Sequence, residues 1–201
     1  MLESGAMMIA LMEAVARYER ERSRVPEKAL EHSLERHAAT VDAVRAVLES
    51  SGHHVVLVPV THDLLPRLAA SGCGLVFNTY FGPGSREDQA RVAALLELVA
   101  LPATGGDATC HFVGMSKPLT KHVLRSLGLP SPGLVVCRRG DGDAVRLVEA
   151  AGLSFPLIVK TSSEGEGIGI DDASVVDGPG SLRTAAGRVL EAHDQPAIVE
   201  E

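Results

Sequence analysis

Tryptophan is absent from this 201-residue sequence, and all aromatics together make up only 3% of it. A core built on stacked rings is therefore excluded. It has to come from Leu, Val, Ile and Ala, as in many α/β proteins. Basic residues are also in the minority, 19 against 26 acidic ones, for a net charge of −7. That excludes a general nucleic-acid binder, whose affinity comes from neutralising phosphates, but leaves room for a local basic pocket for one nucleotide. No apolar run reaches the ~20 residues that span a bilayer. The opening Met1–Met12 lacks the basic start and long apolar stretch of a secretory signal. Cysteine is scarce: Cys73, Cys110 and Cys137 are odd in number, far apart and form no C-x-x-C pair. Free thiols serving as apolar filler in a reducing cytoplasm are expected.

What is present is ordinary for a soluble globular protein: 45% hydrophobic and 22% charged residues, in a length that holds one large domain or two small ones. Met8–Leu11 reads as a first strand, and Glu13–Ser50 is helical in pattern with a break or new start at Pro26. Val55–Val60 reads as a buried strand, Thr61–Ala70 as a short helix capped by Thr61 or Asp63, and Leu75–Phe77 as a strand. This alternation predicts a parallel sheet with crossover helices. After the loop Asn78–Arg86, helices are expected over Glu87–Val99 and Ser116–Leu127. Gly128, Pro130 and Pro132 then mark a boundary. Beyond it, Gly133–Cys137 and Pro156–Val159 read as strands around the helix Ala144–Ala151. A helix over Ser181–Ala192 and a last strand from Ala197 follow.

The chemistry concentrates in three segments. In Phe155–Ile170, an apolar strand ends in Lys160, and the loop T-S-S-E-G-E-G-I-G-I follows. That sets one cation beside a loop whose glycines let backbone N–H groups turn toward anionic oxygens. A Walker A has its lysine after the glycines, whereas Lys160 precedes them. Gly165, Gly167 and Gly169 alternate without the helix start of a Rossmann fingerprint, which disfavours a dinucleotide-binding oxidoreductase. The second segment, F-V-G-M-S-K-P-L-T-K, places Lys117 at a helix start, where the helix dipole disfavours a cation unless an anion is near. The third is the terminal P-A-I-V-E-E, ending in Glu200 and Glu201. Elsewhere, the histidines lack H-E-x-x-H spacing, and G-x-S-x-G is missing.

The order of these segments resembles that of ATP-grasp ligases. The run F-N-T-Y-F-G-P-G-S-R-E with the following L-L-E, L-P and T-G narrows the resemblance to D-alanine–D-alanine ligases and their relatives, from about Val55 onward. It implies an α/β protein with a Rossmann-like N-terminal substrate domain (residues 1–104). A helical connection (105–132) and a partial ATP-grasp α+β subdomain (133–201) would follow. It implies ATP and Mg2+ as cofactors and an amino acid or small peptide as substrate. Lys117 and Lys160 would contact phosphates, and Glu164, Gly165, Glu166, Gly167 and Ile168 would belong to the loop over the triphosphate. Glu200 and Glu201 would lie at the adenine-binding hinge. The implied reaction is ATP-dependent joining of a carboxylate to an amine.

The sequence also departs from the family. The usual E-G-S-S is Glu164-Gly165-Glu166-Gly167, M-D-K is Met115-Ser116-Lys117, and K-P is Lys160-Thr161. The acidic and Asn magnesium ligands and the substrate-orienting arginine belong to later strands, so the chain reads as truncated and no catalytic residue is assigned within it. The alternatives are a non-catalytic ATP-binding protein or half of a split ligase with a complementing chain; a homodimer is also compatible. Everything rests on Lys117, Lys160 and the glycine loop converging.

Overall fold

A computed structural model describes residues 5–23, 26–83, 85–165 and 167–201. The chain divides into two compact units, one formed by Met1–Ser23 and Glu27–Phe112, the other chiefly by Val113–Glu201.

The first unit is an α/β layer around a parallel sheet. Its strands are β1 (Met8–Ala14), β2 (His54–Val60) and β3 (Leu75–Phe77), in the spatial order β2-β1-β3. The central β1 is buried from Ile9 to Met12, as expected of a strand covered on both faces. Ala10 and Met12 pack with Val58, Val60 and Val76 against α3 (Leu64–Ser71) and α4 (Glu87–Leu98). Helices α1 (Ala16–Arg22) and α2 (Glu27–Ser50) complete the first crossover, with the break at Pro26 that its missing N–H favours. β1 runs three residues past the Met8–Leu11 span expected from the sequence, because Met12, Glu13 and Ala14 pair with Val58, Pro59 and Val60 of β2. Asp63 occupies the cap position of α3 but makes no cap hydrogen bond; its carboxylate instead takes Arg67 at 2.8 Å and the Thr61 hydroxyl.

The second unit is built on an antiparallel sheet of β4 (Leu134–Cys137), β5 (Leu157–Thr161), β6 (Val175–Val176) and β7 (Ala197–Glu200). The spatial order is β4-β7-β5-β6. β7 is thus central, paired on both sides. Helices α7 (Ala144–Ala150) and α8 (Pro179–His193) cover one face. There Val135, Cys137, Leu157, Val159 and Val199 form the core with Val145, Val148, Leu182 and Val189. Period-two alternation sends Leu134, Val136, Ile158, Lys160, Ile198 and Glu200 to the other face. Two further helices, α5 (Ala108–Met115) and α6 (Lys117–Ser126), precede the sheet, and α5 buries no residue.

Candidate functional site: a lysine cluster on the second sheet

The site begins at the end of β5. Lys160 lies opposite Ile198 and diagonal to Glu200, which pairs with Ile158. Long side chains reach across such a diagonal, and Lys160 Nζ donates to Glu200 Oε1. At Lys160, β5 is paired with β7 alone, since β6 reaches only Leu157 and Ile158, yet its side chain is only 18% exposed. The carboxylate of Glu200 is 7% exposed, and its Oε2 lies 2.7 Å from Lys121 Nζ, whose side chain is 13% exposed. Two ammonium groups therefore share one buried carboxylate. Burial works to raise the pKa of Glu200, but Lys121 and Lys160 together outweigh it and hold the carboxyl below its ordinary range.

Lys117 reaches the same end of β5 from α6. Ser116 caps that helix, its Oγ accepting the Leu119 N–H at 3.4 Å. The first helical N–H, on Lys117, donates to Ser162 O at 3.0 Å. Lys117 Nζ donates to Thr161 O at 3.0 Å and to Glu164 O. The ammonium at the helix start, unfavourable by the dipole argument, is thus satisfied by carbonyl oxygens of the loop that follows Lys160. Lys117 and Lys121 are four residues apart and share one face of α6.

The glycine loop is folded onto this end of the sheet. Gln195 ties down its start: Oε1 accepts the Ser163 N–H at 2.9 Å, and Nε2 donates to Glu164 Oε1 at 3.0 Å. Ile168 N–H bonds to Gly165 O at 3.0 Å, and Ile168 O accepts the Thr161 hydroxyl at 3.3 Å. Gly169 has φ +79°, and a Cβ there would meet Thr161 Cγ2 at 2.8 Å and His193 Nε2 at 3.0 Å. Only glycine lets the chain return so closely to the strand. His193 is buried beneath it, and burial pushes its imidazole below the ordinary value.

The structure brings Lys117, Lys160, Glu164, Gly165, Ile168 and Glu200 to one end of the sheet. Gly167 lies in the loop's turn with φ +76°, and Glu166 lies outside the described residues. The Glu201 carboxylate turns instead to Gly133, accepting its N–H at 3.3 Å. Sequence reasoning missed Lys121 and Gln195. The chain has only four lysines, at 28, 117, 121 and 160, and three of them gather here. That scarcity, with the four-residue spacing from Lys117, was the available signal for Lys121.

Comparison with known proteins follows the same outline. The chain is 38% identical over 128 residues to a D-alanine–D-alanine ligase of Desulforudis audaxviator, matching 64% of this chain and 41% of that protein. It is 32% identical over 161 residues to the enzyme of that name from Ectopseudomonas mendocina, matching 80% and 48%. This chain is an ATP-grasp protein related to the D-alanine–D-alanine ligases. It spans about half the length of these curated relatives or less. The crystal structure of D-alanine–D-alanine ligase from Bacillus anthracis superimposes with a TM-score of 0.74 at 19% identity. It covers 97% of this chain, which in turn covers 57% of it. No family model matches the sequence. The α/β reading, with a parallel sheet and a separate antiparallel one, agrees with that fold. Among the described residues, no helix is long and apolar enough to cross a membrane.

Proposed function

We propose that this chain binds the triphosphate of ATP at the lysine cluster, as part of an ATP-dependent carboxylate–amine ligase acting on an amino acid or small peptide. The observation that carries this reading is the gathering of Lys117, Lys121 and Lys160 with the glycine loop at one end of the antiparallel sheet. Two of these ammonium groups already hold an anion, the Glu200 carboxylate. A phosphate oxygen offers the same kind of acceptor with more charge. In this reading, Lys160 exchanges Glu200 for a phosphate oxygen. Lys117 keeps the loop start in place through the Thr161 and Glu164 carbonyls, and the N–H groups of Gly165 to Gly169 close over the phosphates. Residues 1–104 serve as the substrate domain.

The reaction proposed transfers the γ-phosphoryl group of ATP to a substrate carboxylate. The bond to ADP breaks and an acyl phosphate forms. The amine then attacks the acyl carbon and phosphate leaves, giving an amide. Magnesium, when bound, would neutralise charge on the phosphate oxygens. The acidic groups beside the lysines do not fit a magnesium site. Glu200 is committed to two ammonium groups, and no three His, Cys, Asp or Glu side chains gather among the described residues. The metal's ligands are therefore proposed to lie in the part of the relatives' length that this chain does not span.

Calorimetric titration of ATP with magnesium into the full chain tests the binding claim. Saturable binding is expected, weakened about tenfold to a hundredfold by Lys160→Ala, since a charge-assisted hydrogen bond is lost. Lys28→Ala serves as the control and is expected to change nothing. Unchanged binding in Lys160→Ala removes that residue from the site.

A further inference from the structure

A second site lies in the first unit and owes nothing to the nucleotide reading. A cavity of about 310 Å³ opens at the carboxyl end of β2, among residues of α1, α3 and α4. Carboxyl ends of parallel strands are where open α/β sheets take their ligands, and the volume falls within the range of small-molecule pockets. Leu64, Leu65, Val92 and Leu95 supply an apolar wall.

The opposite wall is charged and constructed. Asp88 at the start of α4 is 7% exposed, and it accepts Arg22 at 2.6 Å and Arg91 at 2.7 Å. Arg22 also donates to the Tyr18 hydroxyl at 2.6 Å, and its guanidinium lies 5.0 Å from the centre of that ring. One buried carboxylate thus fixes two guanidinium groups that line the cavity. Asp88 is the one acid among the residues that line the cavity, and the neighbouring Asp63 is taken by Arg67. The rim carries one positive charge more than Asp88 cancels. Arg91, with 60% of its side chain exposed, gives Nη1 to Asp88 and leaves the rest of its fork on the cavity. A cation finds no acceptor at Asp88, which both arginines already hold.

We propose that this cavity binds a small aliphatic monocarboxylate. The alkyl group lies against the leucine wall, and the carboxylate accepts from Arg91, with Arg22 adding its charge. Such a ligand matches both walls: its apolar body leaves water, and its charge meets a planar donor fork.

Isocaproate and its neutral isostere isocaproamide separate this from general greasiness of the cavity. Each is titrated into the isotope-labelled full chain while backbone amide shifts are followed. Isocaproate is expected to give saturable shifts around His62, Leu65 and Arg91, with the amide at least about tenfold weaker. Arg91→Gln is expected to bring the carboxylate down to the level of the amide, and Arg91→Lys to recover part of the difference. Equal curves for acid and amide in the unsubstituted chain, or no saturation by about 10 mM, overturn the proposal. So does carboxylate binding that Arg91→Gln leaves intact.

Discussion

Glu200→Gln is expected to destabilise the second unit by about 3 kcal/mol while strengthening its binding of ATP. The amide keeps the shape of the side chain but removes the charge that two ammonium groups share. Lys121 and Lys160, 13% and 18% exposed, would then face each other with no counter-ion and little water. Breaking a buried pair from one side is costly because the remaining charge stays desolvated, and partial exposure keeps the cost at the lower end of that range. The same unpaired cations would attract phosphate more strongly, so stability and nucleotide affinity should move in opposite directions. Urea denaturation measures the first and calorimetry the second.

The pH dependence has a definite sign. Lys121 and Lys160 hold the folded pKa of Glu200 below the ordinary glutamate value of 4.5. Its contribution to stability is therefore full above that value and is lost as pH falls through the lower folded one. Glu200→Gln should flatten this acid limb of the stability profile. An unchanged midpoint at neutral pH, or an unchanged acid limb, would show that the carboxylate is not holding the two lysines.

Leu182→Ala is the second large effect expected, about 3 kcal/mol of lost stability. Leu182 on α8 is fully buried among Val159, Val176, Val189 and Val199, on the sheet face away from Lys160. Truncation removes transfer energy and leaves a cavity that the close-packed sheet and helices can only partly fill. The urea midpoint should fall, and ATP affinity below the transition should stay near that of the unsubstituted chain. Leu98→Ala, at a residue 79% exposed, should change stability by less than about 0.5 kcal/mol. A comparable loss at both leucines would mean that α8 does not form the back of the sheet.

Much of the fold is legible because the strands are apolar runs ended by turn residues. β3 coincides with its sequence span, and β2, α4, α6 and α7 fall within a residue or two. The failures have physical causes. β6 is two residues long and exists through its pairing with Leu157 and Ile158, a partner no local pattern reveals. β7 is central because β4 and β5 both pair with it across 36 residues or more of sequence, and order along the chain does not give order in space. α1 carries Tyr18 at helical spacing, yet the residue it buries is Glu19, which accepts the Tyr80 hydroxyl at 2.8 Å. A buried carboxylate with a partner 61 residues away looks like surface charge in the sequence.

At the site, Lys117, Lys160 and the glycine loop were readable from their order. Lys121 and Gln195 were not, because their contacts with Glu200 and Glu164 exist only once β7 lies beside β5. The sequence also left Lys117 in need of an anion. Carbonyl oxygens of Thr161 and Glu164, more than 40 residues away in sequence, accept from Lys117.

A crystal structure of the full chain with a non-hydrolysable ATP analogue tests the nucleotide reading most directly. The ammonium nitrogen of Lys160 should leave Glu200 and stand about 3 Å from a phosphate oxygen, with residues 164–169 closed over the triphosphate. A bound analogue whose phosphates lie elsewhere, with Lys160 still on the Glu200 carboxylate, would contradict it.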